Sequence, residues 1–394
     1  MQDRNLRKPV VIVLMGAFWP GNEASGPIQS FKGMAKTLSG EFDFRLVARD
    51  RPFGATARLP PTGPMVDGWI DLGFAKARYL PVGRFGAQGL GKLLAATPHD
   101  LVWLNGFFDR EFTIPTLIRR RTGMGPSPPV LLSPRGEFGG GALELKAGRK
   151  RGYLALCRAM GLLSGVTIHA TSDKERRDID TGVGGQLRIE VVPNVAALPP
   201  PPAARGWRGD GVLRLSFIGR IARVKNLDFA LRTLAQVQAR VHLSIYGPAQ
   251  EADHWDECRR LIASLPDNAS AEHMGELTGE QITAALDKSD LLLLPTKGEN
   301  FGHAIFEALA CGVPVLISDQ TPWRDLERDG AGWDLQLDSP GRFAKAIDEF
   351  ARLQDDTRAR MSQAARLRAE LWLEQSDAVG RTRAMLTASL ANRK

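Results

Sequence analysis

Short apolar runs recur along this chain, each followed by a longer stretch whose apolar positions fall at helical spacing. In the first half the runs are VVIVLM (10–15), DFRLVA (43–48), DLVWLN (100–105), VLLSP (130–134) and VTIHAT (166–171). In the second half they are LRLSFIG (213–219), VHLSIYG (241–247), DLLLLPT (290–296) and VPVLIS (313–318), separated by helical patterns such as LDFALRTLAQVQ and ITAALDK. Continuous β-branched runs suit strands buried on both faces, and their alternation with helices predicts βαβ units and parallel sheets. Between the halves, VPNVAALPPPPAARGWRG carries four consecutive prolines, which can continue neither a helix nor a central strand. The pattern therefore predicts an α/β chain with a domain at 1–193, a second at 194–372 and a closing helix at 373–394 that packs back toward the first. Open parallel sheets bind ligands at the carboxyl ends of their strands, here in a cleft facing both domains. That narrows the class to two-domain nucleotide-using enzymes and periplasmic-type binders.

Composition agrees with a globular chain and adds one asymmetry. Of 394 residues, 43% are hydrophobic and 24% charged, which excludes a disordered or collagen-like polymer. The three cysteines offer neither a disulfide framework nor a metal-ligand spacing, which fits a reducing compartment. The net charge of +8 is concentrated: residues 119–151 hold eight basic side chains against two acidic ones, a net +6. Such a surface attracts phosphates. It points to an anionic acceptor or an anionic membrane surface, rather than to nucleic acid. The stretch KAGRKRGYLALCRAMGLL, basic and then apolar, fits either a bilayer surface or a core helix with a basic first turn. Arg4, Arg7 and Lys8 before VVIVLMGAF imitate a signal peptide, but the run is β-branched and continues into a loop and a helical pattern. A first buried strand explains more of these residues, so a cytoplasmic location is expected, with peripheral contact at the inner face of the membrane.

The sharpest local signal is PTKGENFGHAIFEALACGVPVLISD, residues 295–319. A strand ends at Thr296, a glycine-containing loop follows, and a helix begins near Gly302. The unpaired N–H groups of a helix start, here around Gly302, His303 and Ala304, suit a diphosphate. Glu299 precedes that helix and Glu307 lies eight positions on. Each carboxylate can accept from two vicinal hydroxyls of a ribose or a sugar ring. In FIGRIARVKNLDFAL (217–231), Arg220 leaves a strand and Lys225 precedes a helix, where two cations can neutralise a leaving diphosphate. Asp178 and Asp180 spell a DxD, but within SDKERRDID they read as a solvated helix face. His303 has no neighbours at metal-ligand spacing. His169, near a strand end, suits a structural role as well as an acceptor contact.

These stretches resemble the donor domain of GT-B glycosyltransferases, in particular glycosyltransferase family 4, and the resemblance extends over most of the chain. It implies two Rossmann-like, doubly wound domains and a retaining transfer of a sugar from a UDP- or GDP-sugar, with no cofactor and no metal. It also implies catalytic roles for Arg220, Lys225 and Glu299. Donor contacts would come from Gly26, Phe301, Gly302, His303, Ala304 and Glu307, with Glu299 on the sugar and Glu307 on the ribose. WPGNEASGPI (19–28) stands where the family carries a Gly-Gly loop, and only Gly26 is retained. SPRGEFGGGALELKAGRKRGY resembles a subgroup building cell-surface polysaccharide and lipopolysaccharide, which implies a glycan or lipid-linked acceptor. Arg135 occupies a place where some members carry a His. Asn105, Arg135, Lys150 and Arg151 are the acceptor-side candidates. A GT-B sugar-nucleotide epimerase, acting on the donor alone, is the alternative. A dinucleotide oxidoreductase would need G-x-G-x-x-G after the first strand, and GAFWPG does not supply it.

Overall fold

A computed structural model describes residues 7–16, 18, 26–51, 68–81, 84–124, 128–139, 147–200, 211–277 and 279–392. The chain divides into two compact units: Met1–Ala196 together with Asp377–Lys394, and Ala197–Ser376.

The first unit runs β1 (Val10–Met15), α1 (Gly26–Leu38), β2 (Asp43–Arg49), β3 (Ile70–Asp71), β4 (Lys76–Leu80), α2 (Arg84–Ala96), β5 (Leu101–Asn105), α3 (Thr113–Arg121), β6 (Val130–Ser133), α4 (Ala147–Met160), β7 (Val166–Ala170), α5 (Asp173–Val183) and β8 (Arg188–Val191). Its sheet has the order β3-β4-β2-β1-β5-β6-β7-β8, parallel except for the β3–β4 pair. Strand β1 is buried at all six positions because both faces are covered. Val11, Val13 and Met15 face Ile28, Phe31, Met34 and Leu38 of α1. Ile12 and Leu14 turn to the other face, toward Leu117 of α3, Leu154 of α4 and Ile179 of α5. Each fully buried Leu or Phe contributes roughly 1.5–3 kcal/mol of transfer free energy.

The second unit runs β9 (Leu213–Ile218), α6 (Leu227–Leu234), β10 (Val241–Tyr246), α7 (Ala252–Ala263), β11 (Ala269–Gly275), α8 (Gly279–Leu286), β12 (Leu291–Leu294), α9 (His303–Ala310), β13 (Val315–Ser318), β14 (Gly332–Leu335), α10 (Pro340–Arg352) and α11 (Asp355–Ser376). Its sheet is wholly parallel in the order β11-β10-β9-β12-β13-β14. The last helix, α12 (Ala378–Ala391), belongs to the first unit. It places Ala378, Met385 and Leu386 against the α1 face of that unit's core. The chain breaks between α11 and α12 at Asp377, whose left-handed backbone (φ 40°) and side chain, accepting from the Gly380 N–H, start the new helix.

The apolar runs all appear as strands, within a residue or two at their ends. Strands β4, β8, β11 and β14 carry no such run. KARYL, RIEV and ASAEHMG are half polar because they lie at or near sheet edges with one side toward water. The helix expected over LDFALRTLAQVQ stops at Leu234. Beyond it, the buried carboxylate of Asp348 on α10 accepts from the N–H groups of Gln238 (3.0 Å) and Ala239 (2.9 Å), drawing the chain into β10.

Candidate functional site

In the second unit the loops leaving β9 and β12 are laced together at the carboxyl edge of the sheet. Asn226, left-handed at φ 62°, caps α6 by its backbone while its side-chain amide donates to the Pro295 carbonyl (2.9 Å). Thr296 Oγ1 (3.0 Å) and the Lys297 N–H (2.8 Å) both donate to the Val224 carbonyl. Gly247, following β10, approaches so closely that a Cβ there would lie 2.1 Å from the Gly219 carbonyl oxygen. Only glycine fits that position.

This lacing brings Lys225 and Glu299 together. The Lys225 ammonium donates directly to Glu299 Oε1, and the two side chains are only 17% and 12% exposed. The lysine stem lies over Gly219, against which a Cβ would meet its methylenes. Arg220, on the same edge, is exposed and donates to Gln250 Oε1 (2.8 Å).

Gly302 caps α9 with φ 80°, and the first intrahelical bonds run from the Ile305 and Phe306 N–H groups to its carbonyl. The helix start, at His303 and Ala304, is therefore the positive dipole end. Phe301 is buried: its ring packs with Phe306, Trp323 and Trp372, and its carbonyl accepts from Trp323 Nε1 (2.7 Å). That ring shapes the loop, and the His303 imidazole rests against it at 4.7 Å. Glu307, one turn into α9, is pushed up to about 8 by burial, with no cation offsetting it. An unpaired carboxyl of this kind is suited to receive hydroxyl protons of a polyol. Among the described residues no group of three His, Cys, Asp or Glu is placed to hold a metal ion.

In the first unit the carboxyl ends of β5, β6 and β7 hold a polar network. Arg135 adopts a left-handed backbone (φ 58°), which costs an L-residue roughly 1–2 kcal/mol. Its guanidinium donates through Nε to Asn105 Oδ1 (3.0 Å) and through Nη1 to Asn194 Oδ1 (2.9 Å), and stacks 5.9 Å from the Trp103 ring. Burial lowers its pKa to about 10, opposed by the charge of Glu175. Trp103 Nε1 donates to Ser133 Oγ (2.8 Å), and Ser133 lies 2.8 Å from His169 Nδ1. His169 Nε2 faces the Val192 carbonyl at 2.8 Å. A carbonyl only accepts, so Nε2 carries the proton and Nδ1 accepts from Ser133. Burial holds this imidazole near a pKa of about 4, neutral and structural.

Lys150 lies over the Phe108 ring at 4.8 Å, close enough for its charge to act on Glu137. Glu137 accepts from the Phe107 (2.5 Å) and Phe108 (3.1 Å) N–H groups and is raised to about 7, chiefly by burial. Arg151 is exposed on α4. Gly26 opens α1, while residues 19–25 of its loop lie outside the described residues.

Two features depart from the sequence reading. The basic segment is not one surface. Helix α3 runs back from the carboxyl edge, so Arg120 and Arg121 end beside the turn that opens β7. There they donate to the carbonyls of Ser164 (2.7 Å), Gly165 (3.3 Å) and Met160 (2.8 Å). These arginines bracket a turn and do not join Arg135 and Lys150 at the other edge, and Lys146 falls outside the described residues. Glu175 was also missed. It caps the Arg135 turn by accepting from the Gly136 N–H (2.6 Å) and holds the Thr171 N–H (2.7 Å) and hydroxyl (2.8 Å). Ser172-x-x-Glu175 is a capping-box spacing, the signal that could have found it. Asp178 and Asp180 lie on α5, Asp180 exposed and 4.0 Å from Arg176, as a solvated face.

Glu307 yields a test of its environment. A carboxyl raised from its ordinary value destabilises the folded state once the unfolded chain ionises, so stability is full below about pH 4.5 and declines until about pH 8. Glu307→Gln should therefore unfold at a higher temperature than the parent at pH 7–8, by about 2 kcal/mol after allowing for partial exposure. The difference should vanish below pH 4.5. Thermal unfolding followed across pH 4–9 reads this, and a constant offset would contradict it.

Residues 209–368 match the family model of glycosyl transferases group 1. A D-inositol 3-phosphate glycosyltransferase of Mycobacterium bovis (strain BCG / Pasteur 1173P2) is 30% identical over 221 residues, covering 53% of this chain and 46% of that protein. The chain spans 37–51% of the length of such curated relatives. Sucrose-phosphate synthase from Thermosynechococcus elongatus superposes with a TM-score of 0.73 at 16% identity, covering 97% of this chain and 100% of that one. Anabaena Alr3699/HepE, solved with UDP-glucose, gives 0.67 at 14% identity over 96% of this chain and 99% of that one. WaaG, a glycosyltransferase involved in lipopolysaccharide biosynthesis, gives 0.63 at 15% identity over 94% and 99%. The described residues form the GT-B glycosyltransferase fold, and the second unit carries the group 1 glycosyltransferase match.

Proposed function

We propose that the chain transfers a sugar from a UDP- or GDP-sugar to a hydroxyl of a glycan or lipid-linked acceptor, with retention, as in glycosyltransferase family 4. The observation that carries this reading is the meeting of Lys225 and Glu299 at the carboxyl ends of β9 and β12, beside Arg220 and the start of α9. The reaction breaks the bond from the anomeric carbon to a diphosphate oxygen and forms one to the acceptor oxygen. The acceptor's proton leaves with the nucleoside diphosphate. The barrier lies largely in the charge left on that diphosphate. Lys225, Arg220 and the helix dipole are placed to stabilise it. Glu299 then takes sugar hydroxyls and Glu307 the ribose. The acceptor is assigned to the first unit, around Asn105 and Arg135. The WaaG likeness and the Ser-Pro-Arg-Gly stretch favour a surface polysaccharide or lipopolysaccharide product, made on the cytoplasmic side.

Peripheral contact with an anionic bilayer is part of this reading. Helix α4 contains no acidic residue and exposes Arg149, Arg151, Leu156 and Arg158, although Arg158 also binds the Val183 carbonyl. The full chain should sediment with phosphatidylglycerol vesicles at low salt, not with phosphatidylcholine, and lose that binding in the Arg149→Ser, Arg151→Ser double variant. Equal binding to both vesicles would dismiss the surface.

Lys225→Ala should lower turnover of the donor by about 10²–10³ in a chain that still folds, with a lowered unfolding midpoint because Glu299 loses its partner. Turnover at the parent rate would remove Lys225 from the leaving-group site. A panel of UDP- and GDP-sugars, assayed with and without acceptor extract, separates transfer from epimerisation of the donor. Glu299 pairs with Lys225, so a diphosphate would have to compete with it. Glu299→Gln should consequently bind free UDP or GDP roughly three- to tenfold more tightly while turning over the sugar nucleotide more slowly. Weaker nucleotide binding in that variant would show that the lysine does not reach the diphosphate.

A further inference from the structure

Arg135 is a buried cation whose direct partners are all neutral. Nε and Nη1 are committed to two asparagine oxygens, and the flat face to an indole. Its nearest counter-charge, Glu175, spends Oε1 on the Gly136 N–H and Oε2 on Thr171, and makes no bond to the guanidinium. Nη2 has no hydrogen-bond partner among the described residues. Beside it, Asn105 is 7% exposed at the end of β5, and its Nδ2 is a buried donor without a partner among the described residues. Its Oδ1 is held by Arg135, which fixes the amide so that the unused N–H groups point away from that bond. Arg135 as a whole residue is half-buried, while its charge is desolvated by the protein around it.

Such a group is asymmetric in its chemistry. It presents donors and positive charge, and among the described residues the carboxylate that acts on it, Glu175, is turned away. Buried polar groups left unpaired and charges left without a counter-ion are costly, and a left-handed arginine adds backbone strain that persists where the site uses it. The neighbours hold the arrangement rigid: His169, Ser133 and Trp103 form one uninterrupted chain of hydrogen bonds behind the guanidinium.

We propose that Asn105 and Arg135 form an oxyanion-reading site that selects an acceptor sugar bearing a carboxylate or phosphate. The ligand's oxygens take Nη2 of Arg135 and Nδ2 of Asn105, completing the fork that the two asparagine oxygens leave unfinished. Calling the ligand an acceptor rests on the glycosyltransferase reading, whereas the preference for an anionic sugar rests on these residues alone.

The test is calorimetric titration of the full chain, with saturating UDP or GDP present to keep anions from Lys225 and Arg220. The probes are glucuronate, glucose 6-phosphate, glucose and inorganic phosphate. At least one of the two anionic sugars should bind about tenfold or more tightly than glucose, and the better one identifies the oxyanion. Arg135→Asn, a residue that tolerates the left-handed backbone, should abolish the preference, and Asn105→Asp should reverse it. Arg135→Lys, which keeps the charge without the fork, should retain a weakened preference and serves if the Asn variant unfolds. The proposal is overturned if glucose binds as well as both anionic sugars, or if none binds. It is equally overturned if inorganic phosphate matches the sugar-linked anions, or if the Asn and Lys variants keep the full preference. Failure of the glycosyltransferase reading would show instead as no transfer from any UDP- or GDP-sugar in the donor panel, an outcome this titration does not touch.

Discussion

In each unit two central parallel strands send their connections to opposite faces of the sheet, and the candidate site residues collect at the carboxyl ends of the strands at or next to that point. Parallel strands joined by right-handed crossovers leave their carboxyl ends splayed where the direction of winding reverses. In the second unit the reversal lies between β9 and β12, the strands that deliver Arg220, Lys225 and Glu299. In the first it lies between β1 and β5. There Arg49 pairs with Asp109 (2.7 Å) and Glu111 (3.0 Å) against Gly16, where a Cβ would lie 2.6 Å from Asp109 Oδ2. The constraint is topological before it is chemical: a side chain in the middle of a central strand of these sheets faces a helix.

The same constraint explains what could be read in the sequence. Central strands such as VVIVLM and DLLLLPT are apolar throughout because helices cover both faces. They announce themselves, and with them the strand ends that carry the candidate residues. The positions of Arg220, Lys225, Glu299 and Glu307 were legible because each lies at a fixed offset from such a strand or its following helix. Edge strands were not legible, since β8 and β11 alternate polar and apolar residues no differently from a loop or a surface helix. Position along the chain also misled where direction matters. Arg121 and Arg135 are fourteen positions apart, yet α3 carries the first to one edge of the sheet and β6 carries the second to the other. The pairing of Asp348 with Gln238 and Ala239, which ends α6 early, joins residues 110 and 109 apart and has no local signal.

Glu299 illustrates how a site can be assembled without being idle. Two side chains of opposite charge, each mostly buried, are more stable facing one another than facing protein with no partner. On the proposed reading, Glu299 neutralises Lys225 and a diphosphate would have to displace it. A diphosphate carries more negative charge than the carboxylate it displaces, so the helix start of α9 and the second cation, Arg220, would favour that exchange. Rigidity of the loop matters for the same reason. Phe301, Phe306, Trp323 and Trp372 hold the α9 start in place so that the competition is settled by the ligand and not by loop motion.

Two ionisable groups stand outside this balance, one acidic and one basic. Among the described residues, Glu307 in the second unit has no cation beside it, and Arg135 in the first has no carboxylate bonded to it. A surface position would give either group water, and a structural role would give it a counter-ion. Holding them desolvated destabilises the chain by itself, so neither is explained by folding. Each is suited to a ligand of complementary kind: hydroxyl donors for the carboxyl, oxygen acceptors for the guanidinium. A sugar nucleotide carries the first on its ribose, and an acidic sugar carries the second. On the proposed reading, the two units would then divide donor from acceptor by the kind of polar group each leaves without an ionic partner among the described residues.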